Sequence, residues 1–205
     1  LDRVKQFCDE MEEEAKKYHE LVSMNKIFMQ RTANVGIMSL QDCLDFGATG
    51  PVLRGAGYKW DLRKNKPYSL YNEFEFDVPV GTGEHGTTVG DCWNRYIVRM
   101  KEVVESIKII RQVMDKLEPG SIMGKVPKII KLPEGEVYVR TEAPRGEIGF
   151  HLISEKDGKT PYRLKVKSPC FTHTSMLPRV APGQMIADFV ATVGSIDIVL
   201  GEVDR

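Results

Sequence analysis

From Leu1 to about Lys26, apolar side chains at Val4, Phe7, Met11, Ala15, Tyr18, Leu21 and Val22 recur at helical spacing between charged runs. The pattern predicts one long amphipathic helix. A shorter helix is signalled by Ser39 as N-cap, Asp42 three residues on, apolar Leu40, Cys43 and Leu44, and Gly47 as the stop. The elbow Gly47-Ala-Thr-Gly-Pro-Val-Leu-Arg-Gly-Ala-Gly57 follows. It reads either as a tight surface loop or as backbone held close to another segment. Phe74-Glu-Phe-Asp-Val-Pro-Val80 alternates like a strand, apart from Pro79. After a glycine- and threonine-rich loop, Asp91 opens the strongest helical pattern. Its apolar positions run from Trp93 and Ile97 through Ile107 and Ile110 to Leu117, and Pro119-Gly120 ends it. A stripe of this length predicts a helix that belongs to a bundle.

The period then changes. Gly135 to Glu142, Gly146 to Ile153 and Pro161 to Lys167 read as short alternating strands, with Asp157-Gly158 as the hairpin turn between the last two. A final amphipathic helix, roughly Gly183 to Val193, leads into a tail ending at Arg205. The expected fold class is α+β: a helical part over 1–120, a small antiparallel β region over 126–170, and a terminal helix with a buried tail over 183–205. All three are expected within one domain spanning 1–205.

Composition narrows the function classes. The 29 basic and 29 acidic residues cancel, so no global charge draws the chain to nucleic acid. The longest mostly apolar stretch, Met185 to Leu200, is short of the roughly 20 residues that span a bilayer and contains Asp188 and Asp197. The opening segment has no apolar signal region, and Leu1 reads as the start of an excised or processed fragment. Cys8, Cys43, Cys92 and Cys170 share no metal-ligand or redox-pair spacing, so they read as core thiols in a reducing cytoplasm.

Candidate chemistry is sparse. Gly81-Thr-Gly83-Glu-His-Gly86 matches a dinucleotide fingerprint in letters, but the helix opens near Asp91 and no second strand ends in an acid about 20 residues on. A flexible hairpin loop is the better reading. His19, His85, His151 and His173 stand far apart, with His151 in a strand and His173 in a loop, and read as structural. Glu142-Ala-Pro-Arg-Gly-Glu147 sets Arg145 at a Pro-Gly corner, where a guanidinium can hold a carboxylate or the motif can be an ordinary polar turn. In the tail, Ile196, Ile198, Val199 and Leu200 carry Asp197, Glu202, Asp204 and Arg205. Such a terminus either frays in solvent or is buried with its acids paired or titrating abnormally.

Glu142 to Glu147 and the tail together resemble the large subunit of nickel-iron hydrogenases, whose closing motif binds nickel through two thiolates. Laid onto Asp197-Ile-Val-Leu-Gly-Glu-Val-Asp-Arg205, those thiolate positions fall on Val199 and Glu202, which cannot replace them. Leu44 to Arg63, Gly90-Asp-Cys-Trp-Asn-Arg-Tyr96, Ser106-Ile-Lys-Ile-Ile110 and the ending resemble the C-terminal part of the D subunits of NADH-quinone oxidoreductase (respiratory complex I). The loop Gly81 to Gly90 departs from that pattern by its length.

This resemblance implies a hydrogenase-large-subunit-like fold in a proton-pumping, membrane-peripheral complex on the cytoplasmic side of the cell membrane. It implies quinone reduction in a cavity beside the terminal iron-sulfur cluster of a partner. The implied partners are an iron-sulfur small subunit, a protein like the C subunit of the same complex, and a membrane subunit at the quinone entrance. Val199 is expected as an apolar wall, Asp197 and Glu202 as titratable or hydrogen-bonding groups, and Arg205 as a buried counter-charge. Arg145 and Arg54 are expected to support them. No metal or cofactor is expected on the chain itself, and the isolated fragment is expected to be inactive. A non-catalytic scaffold, or the equivalent subunit of a ferredoxin- or F420-fed relative, is the alternative.

Overall fold

The computed structural model describes residues 1–204. Its elements confirm a mixed α+β layout. Helices α1 (Asp2–Tyr18), α2 (Lys26–Thr32), α3 (Leu40–Phe46), α4 (Gly50–Gly55), α5 (Leu62–Asn65) and α6 (Cys92–Lys116) precede strands β1 (Gly135–Ala143), β2 (Gly146–Ser154) and β3 (Arg163–Lys167). Helices α7 (Pro169–Ser175), α8 (Leu177–Val180), α9 (Ile186–Ser195) and α10 (Leu200–Val203) follow. The sheet is antiparallel in the order β1-β2-β3.

Helix α6 is the spine. Asp91 caps it by accepting from the Asn94 amide at 2.8 Å, and its first turn is buried at Cys92, Trp93, Asn94 and Arg95. Helices α1, α4 and α9 pack against it. The core gathers Met38, Val52, Leu53 and Ala56 with Met176 and Ile196, so the elbow, α7–α8 and the end of α9 share one apolar cluster. Burial of this kind contributes about 25 cal/mol per Å² of apolar surface removed from water.

Several expectations hold. Ser39 accepts from the Asp42 amide and Gly47 closes α3 in the left-handed region at φ 72°, where glycine carries no Cβ penalty. The three strands lie where period two placed them, and Asp157 takes positive φ at the turn.

Others are corrected. The first helix is not continuous to Lys26: α1 gives way to a π-helical turn, His19–Ser23, and the helical conformation ends at Met24. Asn25 then caps α2 by accepting from the Ile27 and Phe28 amides, a local carbonyl that competes with helix continuation. The glycine-rich elbow is no surface loop, since Gly50 through Gly55 are all buried. A Cβ on Gly50 would strike the backbone of Arg145 and Gly146, and one on Gly55 would strike Arg95. Phe74 to Val78 buries its alternate residues but forms no strand. Its partner is the side of α6: Gln112 accepts from the Glu75 amide at 2.8 Å and donates to its carbonyl at 2.7 Å, while Glu105 accepts from the Asp77 amide at 2.8 Å. The loop after it is stitched down, because Asn94 donates to Thr87 Oγ1 and to the Thr88 carbonyl and accepts from the Gly83 amide.

His173, expected in a loop, lies instead in α7, which α8 follows, and is buried. The tail is not uniformly buried: Ile196 is 0% exposed, but Val199 is 39% and Leu200 76% exposed. The apolar run turns at Asp197, whose φ of 54° carries the side chains beyond it outward. Among the described residues no helix is long and apolar enough to cross a membrane.

Candidate functional site

The site is assembled from three places in the chain. The β1–β2 turn presents Arg145, the start of α7 presents Cys170, and the tail supplies Asp197, Val199 and Glu202. Gly146 makes the turn possible. Its φ is 143°, and a Cβ there would come within 2.6 Å of Thr49 Oγ1. Gly50 faces it equally closely, so only a glycine pair lets the elbow and turn touch. Thr49 Oγ1 then accepts from the Glu147 amide at 2.9 Å, locking the turn.

Arg145 reaches from this corner to the tail. Its Nε donates to the Asp197 carbonyl at 2.8 Å and stands 3.2 Å from Asp197 Oδ2, while Nη2 donates to Oδ1 at 3.3 Å. A planar fork that takes a carbonyl and a carboxylate together fixes the bend at Asp197 in a way that a point charge could not. From the other side, Arg99 donates to the Ser195 carbonyl at 2.8 Å, and Arg95 donates to Ser195 Oγ at 2.8 and 2.9 Å. Two guanidiniums thus meet the C-terminal end of α9, where orphan carbonyls favour cations. Burial lowers the Arg99 guanidinium to about 10 despite the opposing pull of Asp197, with Arg95 a further unfavourable charge.

Cys170 sits under the tail, wholly buried. Its Sγ donates to Glu202 Oε2 at 3.1 Å and lies 3.8 Å from the Asp197 carbonyl. Burial, with Glu202 adding to it, raises the thiol to about 11, so it stays protonated as a donor at neutral pH. Glu202 Oε1 is buried without a hydrogen-bond partner among the described residues, an arrangement that costs roughly 1–3 kcal/mol where nothing fills the need.

Above these groups lies a cleft of about 600 Å³, walled by Pro144, Arg145, Ile148, Phe150, Val199 and Glu202. It is mostly apolar, with one cation and one carboxylate on its wall, the composition of a pocket for a small amphipathic ring. A larger depression, about 740 Å³, lies between Lys64, Asp77, Glu105 and Lys108. Its charges pair with each other, as in Lys108–Glu105 at 2.6 Å, and none of the sequence-predicted site residues lines it.

The structure therefore brings together Arg145, Asp197, Val199 and Glu202. Arg205 lies outside the described residues. Arg54 is held elsewhere: its Nε donates to Glu102 at 2.7 Å and its Nη1 to Glu142 at 2.8 Å and to the Trp60 carbonyl at 2.8 Å, with Asp61 at 3.8 Å. It links to the cleft only through Glu142, three residues before Arg145 on the same corner. Burial raises Glu142 against the lowering influence of Arg54.

Cys170, Arg99 and His173 were not singled out from the sequence as site residues. A signal for Cys170 existed: Ser168 followed by Pro169 is a helix-start signature, and Ser168 does cap α7. Burial pushes His173 down to about 4, with Arg99 and Arg95 adding to it and Thr49 opposing. The neutral imidazole donates from Nε2 to the Thr49 carbonyl at 3.0 Å, and so ties α7 to the elbow. A nickel ion does not fit this tail. Val199 has no donor, Cys170 is a single protonated thiol, and among the described residues no group of three or more His, Cys, Asp or Glu could hold a metal.

Known proteins resemble this chain along its whole length. The sequence profile described as "Respiratory-chain NADH dehydrogenase, 49 Kd subunit" matches residues 1–133 and 125–205. The D subunit of NADH-quinone oxidoreductase from Bacillus cytotoxicus is 48% identical over 205 residues, covering the whole chain and 54% of the relative. That of Geobacillus kaustophilus is 50% identical over 206 residues with the same coverage. That of Bacillus mycoides is 47% identical over 206 residues, again covering the whole chain and 54% of the relative. The chain thus spans about half the length of these curated relatives. On these matches, the chain belongs to the family of the respiratory-chain NADH dehydrogenase 49 Kd subunit.

Proposed function

We propose that this chain is part of a proton-pumping NADH-quinone oxidoreductase and forms one wall of its quinone-reduction cavity. Its fold is that of a hydrogenase large subunit whose metal site has become a hollow. The observation that carries the reading is the cleft of about 600 Å³ with Val199, Glu202 and Arg145 on its wall and Asp197 pinned behind them. An apolar mouth suits an oily carrier, and the polar groups suit its two ring oxygens. Electrons arrive from an iron-sulfur cluster held by a small partner protein. A protein like the C subunit of the complex and a membrane subunit at the quinone entrance complete the surroundings, on the cytoplasmic face of the membrane. The chain alone does not turn over.

Asp197→Asn and Glu202→Gln in the assembled complex test this. The expected result is loss of quinone turnover, while electron transfer from NADH to a soluble artificial acceptor and the amount of complex stay normal. A scaffold that only docks neighbours gives the opposite: less complex, with normal turnover per complex that remains.

A further inference from the structure

We propose that the apolar face of the three-stranded sheet is covered by the part of the subunit that lies outside this chain, packed on it as a further layer of the same protein. The inference is independent of the quinone reading.

Register sets the face. Across β1 and β2, Val137 pairs with Leu152, Val139 with Phe150 and Thr141 with Ile148. Across β2 and β3, Leu152 pairs with Leu164 and Phe150 with Val166. Paired residues and their i+2 neighbours share one side of a sheet, so apart from Thr141 this face is wholly apolar, and it carries no charge. The charges stand on the other face, where Glu147 takes Arg140 at 3.1 Å and Lys167 at 3.4 Å, and Glu142 takes Arg54 at 2.8 Å. That polar face meets the body of the chain, because Arg54 belongs to α4 and is buried. An antiparallel sheet with one covered face ordinarily turns its apolar side chains inward and its polar ones to water. This sheet is inverted: Val137, Val139 and Leu164 are 50%, 51% and 52% exposed.

The tail covers little of the face, since Val199 and Glu202 share the cleft only with its Ile148, Phe150 and Val166 end. A face without charge has the composition of a domain core, whereas separable partners meet on surfaces no more apolar than the rest of the protein. This chain spans about half the length of its relatives, so in them the same polypeptide carries a comparable length with which to cover the sheet. Layers of one domain bury each other's apolar faces in this way. A bilayer is a poor cover, because β1 and β3 are both open edges and hydrocarbon does not accommodate unpaired backbone groups.

The test is thiol labelling of Val139→Cys and Leu164→Cys with a maleimide, read by peptide mass. The four native cysteines are buried, so in this chain alone the introduced thiols should be the ones that react. The comparison is the whole D subunit of Geobacillus kaustophilus, 50% identical to this chain, with cysteines at the aligned positions and made without its partner subunits. There the thiols should label at least about tenfold more slowly, as sites reached only through local opening do, in a subunit of monomeric mass. If one variant does not fold, the other, on a different strand, still decides. Labelling as fast in the whole subunit as in this chain overturns the proposal. So does protection that arrives only with the other subunits, only on phosphatidylglycerol vesicles, or only in a subunit of dimeric mass.

Discussion

At the scale of single residues, the chemistry of this chain is set by which buried polar groups have partners. Arg54 is the clearest case, since its guanidinium is 2% exposed and is shared among Glu102, Glu142 and Asp61. Arg54→Met leaves Glu142 and Asp61 buried with their shared cation gone, and breaking a buried pair in this way costs about 3–5 kcal/mol. Arg54→Lys should recover little, because one ammonium cannot serve Glu102 and Glu142 through the same fork. Denaturant unfolding of the purified chain measures both. His173 gives a pH dependence. Its folded value of about 4 lies below the 6.5 of a free imidazole, so the unfolded chain binds the extra proton first as pH falls. Stability is then full above about pH 6.5 and declines as pH drops toward 4, by on the order of 3 kcal/mol. In His173→Leu that slope should disappear. Among these residues the sequence marked Arg145, Asp197, Val199 and Glu202 through their resemblance to a metal-binding ending, whereas Cys170 and Arg99 carried no such mark. The Ser168-Pro169 helix start lies beside Cys170, but no local pattern announces the bonds that Cys170 and Arg99 make to the distant tail.

At the scale of elements, local signals and tertiary ones separate cleanly. Helix α3 was legible because Ser39, Asp42 and Gly47 make both of its ends from side chains within its own span. The strands were legible because alternation and an Asp-Gly turn are also local. The helices around His173 were not, because α7 and α8 are only 7 and 4 residues long, too short for an apolar period to show, and each carries a proline in its first turn, where proline's missing N–H goes unneeded. Phe74 to Val78 misled for a different reason. Its period of two is real, but what pairs with it is a row of side chains on α6, which no short-range pattern announces. Gln112→Ala should therefore destabilise the chain by about 1–2 kcal/mol through two lost bonds to Glu75, and hydrogen exchange at Glu75 should rise with it. Gly146→Ala is predicted to be worse, by about 2–3 kcal/mol, because the added methyl meets Thr49 in a backbone region that L side chains avoid. By moving the corner it should also pull Arg145 off Asp197, visible as loss of quinone turnover in complexes that still assemble.

At the scale of the whole molecule, the arrangement follows from α6 and the two things it holds. Its first turns grip the end of α9 through Arg95 and Arg99, and Glu102, one turn beyond Arg99, shares Arg54 with the corner that carries Arg145. The tail is thereby suspended between a helix and a hairpin, with Cys170 beneath it and a cleft above. The long apolar tail pattern led to an expectation of full burial. Instead Ile196 is anchored, while Val199 and Leu200 project from the surface of this chain, as they must if they are to face a partner or an oily ligand. Exposed apolar positions on α1, among them Val4 and Phe7, and Leu21 in the turn after it, sit in a chain that spans about half the length of its relatives.

The most direct test of the cavity is a structure of the intact complex with a quinone-site inhibitor bound. The inhibitor's ring should lie within about 4 Å of Val199, the distance of apolar contact, with a polar atom hydrogen-bonded to Glu202 or Arg145. A ring bound far from residues 197–204, with those residues in open solvent, would contradict the account.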